Sequence, residues 1–378
     1  MIQIENKQDC CGCGACAQRC PKACITMSPD EQGFIYPVID ASLCIQCGLC
    51  EKVCPVLNQV EPVRPIGTFA VKGKDEEVRM QSSSGGMFSL LAEKTLDEGG
   101  IVFGARFDNC WNVEHDCAVS KEELVPMRGA KYVQSRTENT FKMAESFLKK
   151  GSKVLFVGTP CQISGIRNFL RKEYANLLLV DIVCHGVPSP VVWQAYLKSV
   201  ISPCTAADVQ SISFRNKDFG WSKYSLKIII QGNNVKFHER AISNTFLKGY
   251  VKDFFLRPSC FNCSAKQHTS GSDITLGDFW GYKGKLNDDK GTGLVFVNTQ
   301  KGKTWFATLD VVREERSYDE AVKYNPSILY SVPEPKVYRY FWEEFTRSGV
   351  AAIGKAITKS KPNLLMRVVG KIKGIIRR

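Results

Sequence analysis

The chain has 378 residues, of which 44% are hydrophobic and 24% charged, so disorder is excluded as its main state. Its 51 Lys and Arg against 38 Asp and Glu give a formal net charge of +13. The 17 cysteines follow a polar N-terminus and are odd in number, which argues against a secreted disulfide scaffold and favours metal or cluster ligands in a reducing compartment.

Residues 1–58 contain ten of the 17 cysteines, and eight of these form a repeated pattern. The spacing CxxCxxCxxxCP starts at Cys10 and again at Cys44. In this pattern the first three thiolates bind one 4Fe-4S cubane, and the fourth cysteine, which precedes proline, binds the other cubane. The cysteines predicted to bind the first cluster are Cys10, Cys13, Cys16 and Cys54. Those predicted to bind the second cluster are Cys44, Cys47, Cys50 and Cys20.

Zinc is the alternative metal for this region, because CxxC pairs also bind zinc. Two triplets that are each followed by Cys-Pro favour iron–sulfur clusters, since two zinc sites would need pairs that lie far apart in the sequence. The segment 5–58 therefore resembles a bacterial two-cluster ferredoxin. Cys11 and Cys24 lie outside the pattern, and we interpret them as spare thiols.

Composition divides the chain into four parts. The cluster domain at 1–58 is followed by a Pro-bearing linker at 59–66, a large domain at 67–350 and a basic tail at 351–378. In the large domain, strand-like apolar runs alternate with helical segments, which is typical of layered α/β folds. We therefore predict an α/β protein with mixed α+β elements.

The clearest unit of the large domain is a strand at 153–158, a helix at 160–172 and a second strand at 177–183. Both strands are continuous apolar runs, and a proline opens the helix, as in a buried βαβ unit. Further on, 223–231 and 234–238 flank Gly232-Asn233, which predicts a hairpin. Parallel and antiparallel pairs together predict a mixed sheet.

Two segments of the large domain have polar or small residues where a ligand can approach. Ser84, Gly85 and Gly86 open a helix within 82–100, and small residues there leave backbone N–H groups free for a phosphate. From the residues alone, a capped helix without a ligand is the alternative. From the residues alone, the segment RGAKYVQS at 128–135 is equally consistent with a ligand contact and with a strand that has a solvated basic face.

Four cysteines of the large domain are candidates for a further site. Cys161 follows the first strand of the βαβ unit, and Cys184 follows the second. Because parallel strands end at the same edge of a sheet, we expect these two thiols to lie close together. Cys260 and Cys263 form a later CxxC that completes a set of four. From the spacing alone, the alternative is a zinc or redox CxxC with two buried cysteines.

Four longer motifs resemble one known family. GTPCQISGIR, DIVCHGVPSP, RPSCFNC and SDITLGDFWG occur in this order and are similar to motifs of the beta subunits of coenzyme F420 hydrogenases and dehydrogenases. The resemblance covers roughly 66–350 and implies a flavin, typically FAD, together with a hydride-exchanging partner. It also implies that a third 4Fe-4S cluster is bound by Cys161, Cys184, Cys260 and Cys263.

The resemblance further implies where the flavin binds. The implied flavin contacts are Ser84, Gly85, Gly86, Lys131, Tyr132, Gln134 and Ser135. The serine and glycines match the flavin-binding helix start, and the lysine is able to face a pyrophosphate or the flavin ring. The tyrosine is able to stack on the ring, and the last two residues to hydrogen-bond its edge. No residue is identified as catalytic.

The function implied by the resemblance is a flavin-dependent iron–sulfur oxidoreductase. Clusters pass single electrons whereas a deazaflavin or nicotinamide exchanges a hydride, and a flavin links the two. The hydride partner stays open between a deazaflavin, a nicotinamide and another substrate. Some members of the family are found near surface-polysaccharide genes, so the resemblance also implies a role in surface-polysaccharide metabolism. The alternative is a non-catalytic ferredoxin-type subunit that docks on a partner enzyme. Either role needs a redox partner protein or a coenzyme, and no nucleic acid is expected as partner.

The tail contains much of the net charge. From Lys355 to Arg378 there are eight basic and no acidic residues, so 13 minus 8 leaves +5 for the rest of the chain. After Pro362 apolar residues recur at helical spacing, which predicts a basic amphipathic helix. Peripheral contact with the inner face of a membrane and packing against protein both stay open for this helix. No apolar window has the length of a membrane span, so we predict a cytoplasmic protein.

Overall fold

The computed structural model describes residues 1–360. Its strands are β1 (Ile25–Pro29), β2 (Ile35–Ile39), β3 (Gly67–Gly73), β4 (Ile101–Phe107), β5 (Val113–Ala118), β6 (Ser135–Arg136), β7 (Val154–Gly158), β8 (Leu177–Ile182), β9 (Val209–Asn216), β10 (Ser225–Ile230), β11 (Asn234–Arg240), β12 (Ile274–Asp278), β13 (Gly293–Val297) and β14 (Val311–Glu315). Its α-helices are α1 (Ala15–Arg19), α2 (Leu49–Lys52), α3 (Glu76–Gln81), α4 (Met87–Asp97), α5 (Lys121–Leu124), α6 (Thr140–Lys149), α7 (Pro160–Leu170), α8 (Pro190–Ile201), α9 (Thr245–Val251), α10 (Gln300–Ala307), α11 (Tyr318–Lys323), α12 (Tyr338–Ser348) and α13 (Ala351–Lys359).

The N-terminal domain has cysteines in its core. Strands β1 and β2 form an antiparallel pair. Helices α1 and α2 start directly after Gly14 and Gly48, whose φ values of 75° and 70° lie in the left-handed region that favours glycine. Cys16, Cys50 and Cys54 are buried in the core of this domain. Thiols take the place of larger apolar side chains there, and a domain this small needs an additional stabilising element such as bound metal.

The large domain is built on a nine-stranded mixed sheet with the order β14-β3-β13-β12-β8-β7-β4-β5-β6. Strands β12, β8, β7 and β4 are parallel neighbours at its centre. Strand β7 is buried throughout, and α7 begins with Pro160 after a capping box between Thr159 and Gln162. The predicted βαβ unit and the α/β fold with a mixed sheet are thereby confirmed.

A second sheet has the order β11-β10-β9. Its antiparallel pair β10 and β11 is the predicted hairpin, with Ile230 opposite Asn234 next to the turn. Trp193 of α8, Phe214 of β9 and Phe246 of α9 pack in one fully buried cluster beneath it. This packing fixes β9 against α8 and α9.

The large domain extends to residue 360, the last of the described residues. Ala352, Ile353 and Ala356 of α13 are buried in the same core as α9 and α12. The first residues of the predicted tail are therefore a packed helix, and the remainder of the tail, 361–378, lies outside the described residues. Among residues 1–360, the helices are all too short or too polar to cross a membrane.

The cluster domain packs directly on the large domain. The backbone N–H of Phe141 donates to Oε1 of Gln18 at 2.9 Å, and Oγ1 of Thr137 donates to the carbonyl of Cys13 at 2.8 Å. Gly165 lets α7 approach Cys13, because a Cβ at Gly165 would lie 3.0 Å from the Cys13 sulfur. The first group of predicted cluster ligands thus touches the helix that has Cys161 in its first turn.

Candidate cluster and flavin site

The structure brings together both predicted ligand sets of the cluster domain, and each contains the fourth cysteine of the other repeat. Cys54 is buried in the same core cluster as Cys16. Burial, and then the charges of Cys10 and Cys54, raise the pKa of the Cys16 thiol to about 12. Cys20 instead lines a small cavity with three cysteines of the second repeat, namely Cys44, Cys47 and Cys50.

The second group lies nearer the surface than the first. Cys47 is exposed, whereas Cys13, Cys16 and Cys54 of the first group are buried. Cys24, interpreted from the sequence as a spare thiol, has its sulfur 3.3 Å from that of Cys20. A fifth thiol therefore stands beside the second group.

The four predicted ligands of a third cluster also lie together. They line one cavity, into which the adjacent parallel strands β7 and β8 bring Cys161 and Cys184. A short 3-10 turn at Pro258–Asn262 delivers Cys260 and, at its end, Cys263. Burial raises the pKa of the Cys184 thiol to about 12, so a thiolate there requires a positive partner such as iron.

A single metal ion and a cluster need different arrangements of their thiol ligands. Nowhere in residues 1–360 do three His, Cys, Asp or Glu side chains converge on a point where one metal ion would bind. A cubane does not require such convergence, because its four thiolates bind four different irons at the corners of the cluster. A donor set made of thiols alone therefore fits iron–sulfur clusters.

A larger cavity, with an internal volume of about 310 Å³, lies along the central strands β4, β7, β8 and β12. All seven predicted flavin contacts line it, namely Ser84, Gly85, Gly86, Lys131, Tyr132, Gln134 and Ser135. Gly86, with φ 87°, precedes α4, so the first turn of that helix stands at the cavity wall. A helix N-terminus beside a cavity of this size fits a cofactor with a phosphate and a planar ring.

Three of the predicted contacts have their polar ends engaged within the protein. Nζ of Lys131 donates to three backbone carbonyls at 3.2–3.3 Å, and burial lowers the pKa of this amine to about 7. Oε1 of Gln134 accepts from Nη1 of Arg257 at 3.2 Å. Oγ of Ser135 lies 2.7 Å from Nδ1 of His115. These side chains form a fixed wall of the cavity.

The cavity wall also includes side chains that lie outside every motif of the sequence, among them His115, Arg215 and Tyr250. Arg215 pairs with Asp278 at 3.0 Å, while its Nε and Nη2 have no partner among the described residues. The ring of Tyr250 lies 4.7 Å from that of Tyr132. Arg215 and Tyr250 come from β9 and α9, far along the chain, so no local pattern indicates them.

The cavity of the third group and the candidate flavin cavity share a wall. Cys11, Cys161 and the segment 182–187 line both of them. A hydrogen bond with Cys11, together with burial, raises the pKa of the Cys161 thiol well above its usual range. Cys11 thus stands between the first and third groups of cysteines, where the sequence indicated only a spare thiol. The third group therefore lies beside the candidate flavin cavity, and Cys11 and Gly12 of the cluster domain also line that cavity.

The fold and the site define an iron–sulfur redox protein, and family models agree. Residues 9–58 match a 4Fe-4S dicluster domain. Residues 68–142 and 151–317 match the N-terminal and C-terminal models of the coenzyme F420 hydrogenase/dehydrogenase beta subunit. The chain belongs to this family, which confirms the resemblance seen in its motifs.

Several relatives align with most of this chain. A subunit of the F(420)H(2) dehydrogenase of Methanosarcina mazei is 24% identical over 341 residues, which are 85% of this chain and 88% of the relative. An uncharacterised protein of Methanocaldococcus jannaschii is 26% identical over 361 residues, 85% of this chain and 91% of the relative. Coenzyme F420-dependent sulfite reductase of the same organism is 24% identical over 306 residues, 79% of this chain and 46% of the enzyme. A structure of the F420-reducing NiFe hydrogenase complex from Methanosarcina barkeri matches with a TM-score of 0.47 and 16% identity, over 79% of this chain and 93% of that chain.

Proposed function

We propose that the chain is a flavin-dependent iron–sulfur oxidoreductase with three 4Fe-4S clusters and one FAD. The observation that carries this proposal is the position of the four-cysteine cavity, which shares Cys11 and Cys161 with the cavity lined by the seven predicted flavin contacts. A bound flavin supplies the exchange between single electrons and a hydride. The chain supplies the spacing that keeps the four redox groups close to one another.

The proposed relay runs from the second cluster through the first and third clusters to the flavin, in either direction. Cys47 is exposed, so the second cluster is the outermost. Cys13 of the first group touches α7, which bears Cys161 of the third.

At the flavin end, Nζ of Lys217 donates to three backbone carbonyls, among them that of Ser84, each at 2.8 Å. Lys217 thereby holds the loop that presents the start of α4 to the cavity.

The proposed hydride partner is a deazaflavin, because relatives named for F420 align with most of this chain. A nicotinamide is the competing partner. A role in surface-polysaccharide metabolism, and contact of the tail with an anionic membrane, stay predictions of the sequence.

Iron and flavin content after anaerobic purification tests the proposal. Three cubanes and one flavin predict about twelve irons and one FAD per chain. Cys260→Ser should lower iron by about four while the ferredoxin clusters remain. Cys110→Ser is the matched control, since Cys110 is exposed and outside all three groups. About eight irons in the wild type, unchanged in Cys260→Ser, would contradict the third cluster.

The same preparations separate the enzyme from a non-catalytic ferredoxin-type subunit. A chain that holds clusters only would show no flavin absorbance and no turnover with redox dyes. Anaerobic flavin reduction, tried in turn with reduced deazaflavin, reduced nicotinamide and reduced ferredoxin, then identifies the partner. Reduction by the deazaflavin and not by the nicotinamide is the expected result.

A further inference from the structure

Arg257 is a buried cation without a carboxylate partner. Its side chain is 0% exposed, and within residues 1–360 no Asp or Glu oxygen lies within 4.0 Å of its guanidinium nitrogens. Nε donates to the carbonyl of Cys10 at 2.8 Å, Nη2 to the carbonyl of Ile35 at 2.9 Å and Nη1 to Oε1 of Gln134 at 3.2 Å. Its hydrogen bonds are satisfied by neutral oxygens, but no side-chain charge balances its own.

The other buried arginines of the described chain differ in this respect. Arg79 forms an ion pair with Asp288, and Arg215 pairs with Asp278. A buried charge is costly unless an opposite charge compensates it, so Arg257 requires an anion that is not one of the described carboxylates.

Arg257 lies between the first and third groups of cysteines. It contacts the backbone that carries the first group, because Nε donates to the carbonyl of Cys10 and a Cβ at Gly12 would lie 2.9 Å from Nη1. On the other side Arg257 lines the cavity of the third group and stands three residues before Cys260. The ring of Tyr36 covers the guanidinium, with its centroid 4.2 Å from Cζ. The cation is thus shielded from water and faces both groups.

A cubane held by four thiolates is an anion and gains a further negative charge when it is reduced. A nearby cation in a low-dielectric interior stabilises the reduced form more than the oxidised form. We propose that Arg257 is the shared counter-charge of the first and third clusters and that it raises the reduction potential of both. When one electron passes between them, one cluster is oxidised and the other reduced, and the bonds and protons of Arg257 do not change. This inference rests on the third cluster of the proposed function.

The test is a potentiometric titration of the reconstituted full-length protein, monitored by electron paramagnetic resonance. Arg257→Gln should lower the equilibrium constant for one-electron reduction of both clusters at least tenfold, which corresponds to about 59 mV. Arg257→Lys keeps the charge and should cause less than half of that shift. Arg79→Gln removes a buried arginine that has its own carboxylate partner, and it should leave both potentials unchanged.

Full iron content with wild-type potentials in Arg257→Gln would overturn the inference, as would a shift of the first cluster alone. If Arg257→Gln does not retain its clusters, Gln134→Glu replaces it, because a carboxylate beside Nη1 neutralises the cation within the native packing. Both potentials should then fall, and unchanged potentials would again refute the role of Arg257. About eight irons and no third signal would instead contradict the proposed function, so the two failures are distinguishable.

Discussion

Gly165 offers a test of how closely the first cluster is packed on α7. In Gly165→Ala the added Cβ would lie 2.9 Å from Cβ and 3.0 Å from Sγ of Cys13. The first distance is about 0.6 Å shorter than the usual carbon contact of about 3.5 Å. Alanine gains about 1 kcal/mol in a helix interior, but overpacking costs about 1–3 kcal/mol. We expect a net loss of about 1 kcal/mol and a perturbed first cluster, since Cys13 is one of its predicted ligands.

The assay is urea unfolding of the anaerobically reconstituted protein, together with iron content and the electron paramagnetic resonance signal of the first cluster. Gly354→Ala is the matched control, because Gly354 lies in α13 and a Cβ added there would meet nothing within 4 Å. The control should gain about 1 kcal/mol. Equal stabilisation of both variants, with an unchanged cluster signal, would refute the close contact between Cys13 and α7.

Three further changes have expected outcomes. Burial lowers the pKa of His115 to about 4. As the pH falls, the unfolded chain therefore takes up a proton near pH 6.5 that the folded protein excludes, and the folded state loses stability. Relative to His115→Gln, urea titrations should show about 3 kcal/mol of stability lost between pH 7 and pH 4. Lys217→Met removes the three hydrogen bonds that hold the loop before α4, so FAD affinity measured by fluorescence should fall about tenfold while iron content stays constant. Gly85→Ala would place a Cβ 2.5 Å from the carbonyl of Val71, and dialysis should show loss of FAD with retained clusters.

Much of this architecture could be predicted because it depends on local patterns. The thiols of the two repeats are grouped by spacing alone, and the βαβ unit is marked by two apolar runs and a helix that opens with Pro160. The seven predicted flavin contacts come from two motifs of an identified family, and the structure places both motifs on one cavity.

Other parts of the site depend on contacts between distant residues, which no local pattern shows. Arg257 donates to Cys10, 247 positions earlier in the chain. Arg215 reaches the cavity because β9 packs in one core with α8 and α9. Cys11 resembled a spare thiol because its partner, Cys161, lies in the other domain. Composition groups residues 351–360 with the basic tail, because the apolar surface that covers Ile353 comes from α9 and α12.

The tight junction between the two domains has a consequence for biogenesis. Cys13 and Cys16 are each 7% exposed in the folded protein, with α7 seated on the former. A scaffold protein that delivers iron and sulfide must reach these thiols directly, so we expect insertion of the first cluster to precede closure of the junction. The cluster domain then matures as an open module, and its docking on α7 seals a finished cofactor inside the protein.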